Sequence, residues 1–341
     1  MKTENLINTD NKILIDWLSF TSKIDSIESM INFLGLGKCK FIETYGMQGY
    51  QQRLYFDGIS IHFNSCRNEG VWVEMSGQGC RAFESYCEYE DGFLYLFEYF
   101  KAYSEDYHIT RLDIAYDDFD NVIPIKSFSK DVLNKNYVSR FRDNCMTVTC
   151  SAGRVGYTID CGSRKSDIKF RIYDKSYERG FRGEEHFTWN RFEIQMRNDR
   201  AFNFINLLDE DNVGKIFTGV IINYLRVVKP NKSDSNKRRW QTKKWFSDFI
   251  NNAERVSLFT KCEEDYNICK LEDFVYRHCG NGIDTLIEIK GLDTVLSELK
   301  ANKPERSQKY QQLINQNEAY REASKNSDEI LKYLNEKELM K

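Results

Sequence analysis

Apolar and polar residues alternate along many short segments of the chain, a pattern typical of β-strands with one buried face. Residues 13–21, ILIDWLSFT, and 108–118, HITRLDIAYDD, are two such segments. Residues 50–64 contain two alternating runs separated by Asp57-Gly58, a turn pair that favours a β-hairpin. Further strand-like runs are VWVEMSGQG (71–79), CMTVTC, VGYTID, IKFRIYDK and FTWNRFEIQMR.

Helical spacing of apolar residues interrupts these strands. It runs from Asp25 to about Leu36, through the aromatic-rich stretch 80–104, after Pro124 and over 199–228. The sequence therefore predicts an α+β fold, largely antiparallel sheet with helices on one face. Because the second half repeats the style of the first, the sheet is expected to comprise two sheet-plus-helix halves.

The composition changes after about residue 229. Residues 229–246, KPNKSDSNKRRWQTKKWF, contain seven Lys or Arg residues and one Asp, and the chain beyond them is charged and helical in pattern. We therefore expect a main domain over 1–228, a basic and aromatic segment over 229–249, and a helical C-terminal region over 250–341.

Whole-chain composition excludes several classes of protein. The net charge of −3 gives no hint of which partner the protein binds. The ten cysteines include no CxxC pair, and the four histidines are scattered, so no spacing resembles a zinc site. Free thiols in a reducing cytosol are expected. The polar start, MKTENLINTDNK, predicts no signal peptide, and no apolar run is long enough to span a membrane. A cytoplasmic protein is the expectation.

Carboxylates occupy the polar faces of three predicted strands. Alternation places Asp113 and Asp117 on one face of 108–118, Glu193 on the polar face of WNRFEIQMR, and Glu74 on that of WVEMS. Each alone is readily explained as solvated or paired with an arginine. Together they favour a shared polar sheet surface that suits Mg²⁺ or Mn²⁺, because these ions prefer oxygen ligands.

Tyr173 lies between Arg171 and Lys175 on the polar face of the strand IKFRIYDK. The structural interpretation is a tyrosine packed on the sheet beside two solvated cations. The chemical interpretation is a nucleophile, because nearby cations and a metal ion favour the phenolate and neutralise a phosphodiester.

Six segments in order resemble the replication initiation factor (Rep_trans) family, which includes rolling-circle initiators of Gram-positive plasmids and phages and relaxases of integrative conjugative elements. The resemblance covers about residues 13–250, and its most specific part is the fourth of these segments. They are LIDWLSFT, VEMSGQGCR, ITRLDIAYDD, GSRKSDIKFRIYDKSYE, WNRFEIQMR and NYLRVV.

The resemblance implies a DNA nicking-closing enzyme, in which a tyrosine attacks an origin phosphodiester and forms a 5′-phosphotyrosyl bond. That tyrosine maps onto Tyr173, with Tyr177 as its rival. Arg171 and Lys175 are the candidates for steadying the phosphate charge. The metal-binding acids map most directly onto Asp113 and Glu193, and less directly onto Asp117 and Glu74. No histidine forms a His-hydrophobe-His pair, so carboxylates are expected to dominate the metal ligands.

DNA binding requires cations, and two places supply them. Arg164-Lys165 precedes the strand of Tyr173, and the segment 229–246 interleaves cations with tryptophans, which suits phosphates and unpaired bases. The alternative for the latter is a solvated linker whose tryptophans anchor the next helix. The candidate contacts in this segment are Lys237, Arg238, Arg239, Trp240, Lys243 and Lys244.

Three functions remain open at this point. The first is initiation of rolling-circle replication at a DNA origin, and the second is a relaxase that nicks the transfer origin of a conjugative element. The third is a non-catalytic DNA-binding regulator. The resemblance also implies a homodimer and recruitment of a host helicase.

Overall fold

The computed structural model describes residues 10–23, 26–66, 70–141, 145–152, 154–180, 188–209, 212–255, 271, 275–302 and 314. The chain divides into two compact units, Met1–Cys262 and Glu263–Lys341. Each unit is described by itself. The domain boundaries expected at residues 228 and 249 stay predictions.

The first unit begins with a strand, a helix and a four-stranded meander, followed by two helices. In chain order these are β1 (Lys12–Ser22), α1 (Ile27–Phe33), β2 (Ile42–Tyr45), β3 (Tyr50–Phe56), β4 (Ile59–Ser65), β5 (Val71–Met75), α2 (Gly77–Tyr86) and α3 (Gly92–Ala102).

The second half of this unit repeats the plan with additions. Its elements are β6 (Tyr107–Asp118), α4 (Ile125–Leu133), β7 (Tyr137–Ser139), β8 (Met146–Ala152), β9 (Arg154–Cys161), β10 (Ile168–Asp174), α5 (Lys175–Glu178), β11 (Asn190–Arg197), α6 (Asp199–Leu207), α7 (Val213–Tyr224), β12 (Leu225–Val227), a 3₁₀ turn (Lys237–Arg239) and α8 (Lys244–Ala253).

Ten of these strands form one antiparallel sheet in the order β2-β3-β4-β5-β1-β6-β11-β10-β9-β8, and β7 pairs with β12 separately. Each half contributes one central strand, β1 or β6, and a meander whose last strand pairs with it. The prediction of an antiparallel α+β fold built from two sheet-plus-helix halves is confirmed.

One face of the sheet carries the apolar core. Tyr116 of β6 and Phe192 of β11 are buried on this face, and Phe249 of α8 packs against both, with ring centroids 5.4 Å apart in each case. Alternation then directs the neighbouring residues Asp117 and Arg191 to the opposite face. The helix layer packs on the apolar face, so the polar face is the one available for a functional site.

The turn between β3 and β4 explains two glycines. Asp57 and Gly58 both have positive φ, 42° and 87°, as the predicted tight hairpin turn requires. Gly79 lies so close that a Cβ there would come within 2.2 Å of the Gly58 carbonyl oxygen. The strand predicted over residues 71–79 therefore ends at Met75. The two glycines that follow lie in the first turn of α2.

One pair of cysteines contradicts the expectation of free thiols. Cys145 and Cys161 form a disulfide with Cα atoms 4.1 Å apart. They are brought together because β8 and β9 are antiparallel, with Met146 opposite Asp160. Elsewhere in the described chain the cysteines with free thiols are Cys39, Cys66, Cys80, Cys87 and Cys279.

The second unit is helical where it is described, as predicted for the C-terminal region. A π-helical turn (Val275–Cys279) precedes α9 (Gly280–Lys290) and α10 (Leu292–Asn302). No helix among the described residues combines the length and the apolar run that crossing a membrane demands.

Candidate active site

Three adjacent strands bring the predicted residues together on the polar face. Tyr173 of β10 pairs with Arg191 of β11, and Arg191 pairs in turn with Asp117 of β6. In the next row Arg171 pairs with Glu193. Since directly paired residues have neighbouring side chains, the register by itself assembles a phenol, cations and carboxylates.

The hydroxyl of Tyr173 is held between an acid and a base. It donates to Oε1 of Glu193 at 2.5 Å and accepts from Nζ of Lys175 at 3.2 Å. The charged ends of Arg171 and Lys175 lie 5.4 and 5.3 Å from the ring centroid. Only 6 % of the residue is exposed, and this burial raises the pKa of the phenol well above its ordinary value. In the resting state the phenol of Tyr173 is therefore protonated, and its hydroxyl is already hydrogen-bonded to the carboxylate of Glu193.

Lys175 owes its position to the end of β10. Asp174 ends the strand and caps α5 by accepting a hydrogen bond from the backbone N–H of Tyr177. This turn directs Lys175 back towards Tyr173. Burial, followed by the charge of Arg191, lowers the pKa of Lys175 below its ordinary value.

Arg191, the residue paired with Tyr173 on β11, is a buried cation beside the tyrosine. Its guanidinium donates to both oxygens of Asp117 at 2.6 and 2.8 Å, and to Oδ1 of Asp16 at 2.7 Å. Burial acts to raise the pKa of Asp16, but Arg191, Lys175 and Arg81 outweigh it, and the pKa is lowered to about 2. Asp16 is therefore ionised, and Arg191 stays charged.

Asp16 is a site residue that the sequence reasoning missed. It lies in β1 where the pairing with β6 shifts between Ile15 and Trp17, a β-bulge. The segment ILIDWLSFT was interpreted only as a buried strand. The available signal was an aspartate inside an otherwise apolar strand.

Two further carboxyls share this surface. Burial, and then the charge of Asp16, raises the pKa of Glu193 to about 7. Burial raises the pKa of Asp113 to about 6, although Arg111 donates to both of its oxygens at 3.0 and 2.6 Å. Asp113 lies diagonally across the register from Glu193, because it pairs with Gln195. Three acids, Asp16, Asp113 and Glu193, thus lie near one another, and Asp16 and Asp113 are paired with Arg191 and Arg111.

The predicted metal ligands do not all converge. Glu74 lies on the same face but on β5, three strand spacings or about 14 Å from the strand of Glu193. The carboxylate of Asp117 is already paired with the guanidinium of Arg191. Within the described residues no three acidic, histidine or cysteine side chains converge closely enough to hold an ion. The donor atoms of Asp16, Asp113 and Glu193 are all carboxylate oxygens, which nevertheless fit a hard divalent cation.

Arg164 and Lys165 are exposed, but they lie before the start of β10, whereas Tyr173 lies near its end. The strand between Ile168 and Tyr173 alone spans about 17 Å. A DNA strand that contacts both places must run along β10.

The basic segment packs on the helix layer through its own contacts. Lys243 donates to Asp131 at 2.7 Å, Lys237 to the carbonyl of Lys135 at 2.6 Å, and Arg239 pairs with Asp234 at 2.8 Å. These cations are partly neutralised within the chain.

The two tryptophans of this segment have structural contacts. Trp245 packs on Phe128, with ring centroids 5.1 Å apart, which fits the role of a helix anchor. Trp240 donates to the carbonyl of Asp234 at 2.6 Å. Arg238 and Lys244 are exposed and remain the most accessible of the predicted DNA contacts in this segment.

Comparison with known proteins agrees with this geometry. The profile of the replication initiation factor family matches residues 107–300, and that of the N-terminal domain of rolling circle replication initiation proteins matches residues 12–118. A Bacillus subtilis (strain 168) protein named as a DNA relaxase, NicK, is 31 % identical over 264 residues, which cover 74 % of each chain. The chain belongs to the replication initiation factor family.

A solved structure shares the fold. The rolling circle replication initiator protein from Geobacillus stearothermophilus superimposes with a TM-score of 0.68 at 29 % identity, over 74 % of this chain and all of that one. Family membership supports a DNA-nicking role in the initiation of replication, and the resemblance inferred from the sequence is confirmed.

Proposed function

We propose that the protein is a site- and strand-specific DNA nicking-closing enzyme that initiates rolling-circle replication through a covalent intermediate on Tyr173. The observation that carries this proposal is the hydroxyl of Tyr173, which contacts a carboxylate at 2.5 Å and an ammonium at 3.2 Å. A tyrosine needs such partners to attack phosphorus, because its ordinary pKa is about 10.

The reaction follows from these contacts. The oxygen of Tyr173 attacks the scissile phosphorus while its proton passes to Glu193. The bond from phosphorus to the 3′ oxygen breaks, and that oxygen takes a proton from solvent water, which leaves a free 3′-hydroxyl and a 5′-phosphotyrosyl bond. In the reverse reaction the 3′-hydroxyl gives its proton to solvent as it attacks the phosphotyrosine, and Tyr173 recovers its proton from Glu193. The strand is rejoined without an external energy source.

The cations around the tyrosine have separate roles. Arg171 is exposed and Lys175 is buried, and both flank the ring. A phosphate between them gains two charge-assisted contacts, which stabilise the negative charge that grows during attack. Arg171 and Lys175 also cover the ring of Tyr173. When they move towards a phosphate, the hydroxyl of Tyr173 becomes accessible to the DNA. Arg191 is held by two aspartates and keeps a positive charge beside Tyr173.

A divalent metal ion is part of this proposal. Asp113 and Glu193, with Asp16 in place of the more distant Glu74, are the residues that would hold it. When bound, such an ion supplies positive charge that polarises a phosphate. The three carboxylates lie on one face of the sheet and offer oxygen donors, which supports this assignment.

The test is covalent trapping. Mg²⁺, protein and supercoiled DNA from its own replicon are incubated, and the SDS-stable adduct is mapped by peptide sequencing. Tyr173→Phe should abolish nicking and the adduct while origin binding persists. Tyr177→Phe is the matched control and should retain both. An adduct that persists in Tyr173→Phe and vanishes in Tyr177→Phe would reverse the assignment, and no nicking by the wild type would favour the non-catalytic regulator.

Transfer-origin nicking is the second candidate function. The similarity to the relaxase of Bacillus subtilis favours it, and its chemistry is the same. Cleavage of a transfer origin, but of no replication origin, in the same trapping assay would select it. The homodimer, the host helicase and the cytoplasmic location stay predictions.

A further inference from the structure

Two apolar side chains are exposed on the edge of the sheet. Met146 and Val148 of β8 have 66 % and 55 % of their surface accessible. They share one face because they are two residues apart. Edge strands usually carry charged residues or are covered, so paired exposed apolar side chains on such a strand indicate a surface with an occupant.

The register assigns this pair to the face that carries the tyrosine. Val148 pairs with Thr158 of β9, and Thr158 pairs with Tyr173. Val148 is therefore two strand spacings, about 10 Å, from Tyr173 along one continuous row. That separation is comparable to the size of one nucleotide.

Met146 occupies the next row in the same way. It pairs with Asp160, which pairs with Arg171. Asp160 is held by Lys169 at 2.7 Å, so its charge is balanced within the protein. The exposed apolar pair thus shares a face with Arg171, the exposed guanidinium that faces the scissile phosphate in the proposed function, at two strand spacings and with Asp160 between them.

The ring of Tyr177 lies against the neighbouring part of this surface. A Cβ at Gly156, two residues before Thr158, would lie 2.5 Å from the ring Cγ of Tyr177. The backbone at residue 156 is therefore covered by an aromatic ring, and only glycine fits beneath it. Val148 and this ring lie on adjoining rows.

We propose that Met146, Val148 and the Tyr177 ring form a binding site for an unpaired nucleobase of the cleaved strand, next to the phosphate attacked by Tyr173. This inference rests on the proposed function and adds a base-binding site to it. Apolar and aromatic surfaces pack on the π-face of any base, so the site holds the strand without reading its sequence. Continuity with Arg171 favours a nucleotide over a protein strand, because sugar-phosphate and base then find matched surfaces side by side.

The test compares two single strands that differ only in their bases. Fluorescein-labelled thymidine dodecamer and an abasic dodecamer of equal charge are titrated with Tyr173→Phe protein, which binds without cleaving. We expect the thymidine strand to bind about tenfold more tightly, a difference of about 1.4 kcal/mol. Adding Met146→Ser and Val148→Ser should remove this preference and leave the affinity for the abasic strand unchanged.

Val155→Ser is the matched control. Val155 is 45 % exposed on the same hairpin, but it belongs to the opposite face because it is an odd number of residues from Thr158. This variant should keep the tenfold preference.

Three outcomes would overturn the inference. They are equal binding of both strands by the Tyr173→Phe protein, an unchanged preference after the two serine substitutions, and an equal loss in Val155→Ser. If serine at 146 and 148 instead abolishes self-association in light scattering and spares the base preference, the surface is an interface between copies. A wild-type adduct on Tyr173 together with any of these results refutes the base site alone, whereas failure of the adduct refutes the proposed function.

Discussion

Glu193→Gln separates the chemistry of the site from its stability. The introduced amide keeps the shape of Glu193 and still accepts a hydrogen bond from the tyrosine, but it cannot take a proton. Positioned proton acceptors contribute about 10²- to 10⁴-fold to a rate. The first-order rate of adduct formation should therefore fall by about 10²- to 10⁴-fold, which corresponds to about 2.7–5.5 kcal/mol in activation free energy.

The same substitution should not weaken the fold. Burial raises the pKa of Glu193 to about 7, so its charge opposes folding at higher pH. A neutral amide removes that penalty and replaces a carboxylate beside the ionised Asp16 with a hydrogen-bond donor. The urea midpoint at pH 8 should stay equal or rise. Loss of activity with unchanged or increased stability is the signature expected of a group that acts in the reaction.

The assay is single-turnover cleavage with protein in excess, quenched in SDS and followed as the covalent adduct. Glu74→Gln is the control, because Glu74 is also a half-buried carboxyl with a raised pKa on the same sheet face, but lies on β5. It should cleave within about twofold of wild type. A Glu193→Gln rate within tenfold of wild type would refute Glu193 as the proton acceptor. An equal loss in Glu74→Gln would refute the placement of the site around β10 and β11.

Three other predictions concern stability and binding. Arg191→Met should lower the free energy of unfolding by about 3–5 kcal/mol, because it leaves two carboxylates unpaired; a loss under 1 kcal/mol in urea would contradict this. Burial lowers the pKa of His62 to about 4, against about 6.5 when unfolded, so the folded protein should lose about 3 kcal/mol as pH falls from 6.5 to 4. The difference between wild type and His62→Phe should show this pH dependence, and a flat difference would refute it. Lys244→Ala should reduce the salt slope of DNA binding by about one, whereas Lys243→Ala should chiefly lower stability, because Lys243 is paired with Asp131; equal slopes for both would contradict this.

Strand alternation made most of the sheet and its polar face predictable. Asp113, Tyr173 and Glu193 each stand at a period-two position among apolar residues, so their common face followed from spacing alone. Which strands are neighbours did not follow, because β11 and β6 are separated by more than seventy residues of intervening elements. The pairing of Arg171 with Glu193 needed the structure.

Other features were hidden for identifiable reasons. Asp16 reaches the site through a β-bulge, which breaks the alternation on which the prediction relied. Glu74 lies on the predicted face of the sheet, but its strand, β5, is three strands away from β11 and so from Glu193. Lys243 looked like a phosphate contact because its partner Asp131 is 112 residues away in sequence. Spacing fixes a side chain's face, while long-range pairing decides whether its charge is available.

The two halves of the sheet show why only one carries the proposed chemistry. Asp117, Arg191 and Tyr173 form a row at the ends of β6, β11 and β10. The corresponding row in the first half contains Thr21 and Trp72, each one residue from the ends of β1 and β5, and His62 of β4, which pairs with Trp72 but lies three residues from the end of its strand.

That second row is a packed aromatic cluster and not an ion network. His62 is fully buried and stacked on Trp72, with ring centroids 4.3 Å apart, and Thr21 takes the place of Asp117. The row itself contains neither a phenol nor a carboxylate, although the ring of Tyr50 packs against it from β3, with its centroid 6.0 Å from that of His62 and 5.9 Å from that of Trp72. The row therefore lacks the carboxylate and the paired cation that lie beside Tyr173. If both strand cleavages of a cycle use the proposed nucleophile, the second cleavage uses either the same Tyr173 again or the Tyr173 of a second copy. Mixtures of wild-type and Tyr173→Phe chains distinguish these alternatives. If one chain uses its own Tyr173 twice, the yield of complete cycles is proportional to the wild-type fraction. If two copies each supply a Tyr173, the yield is proportional to the square of that fraction.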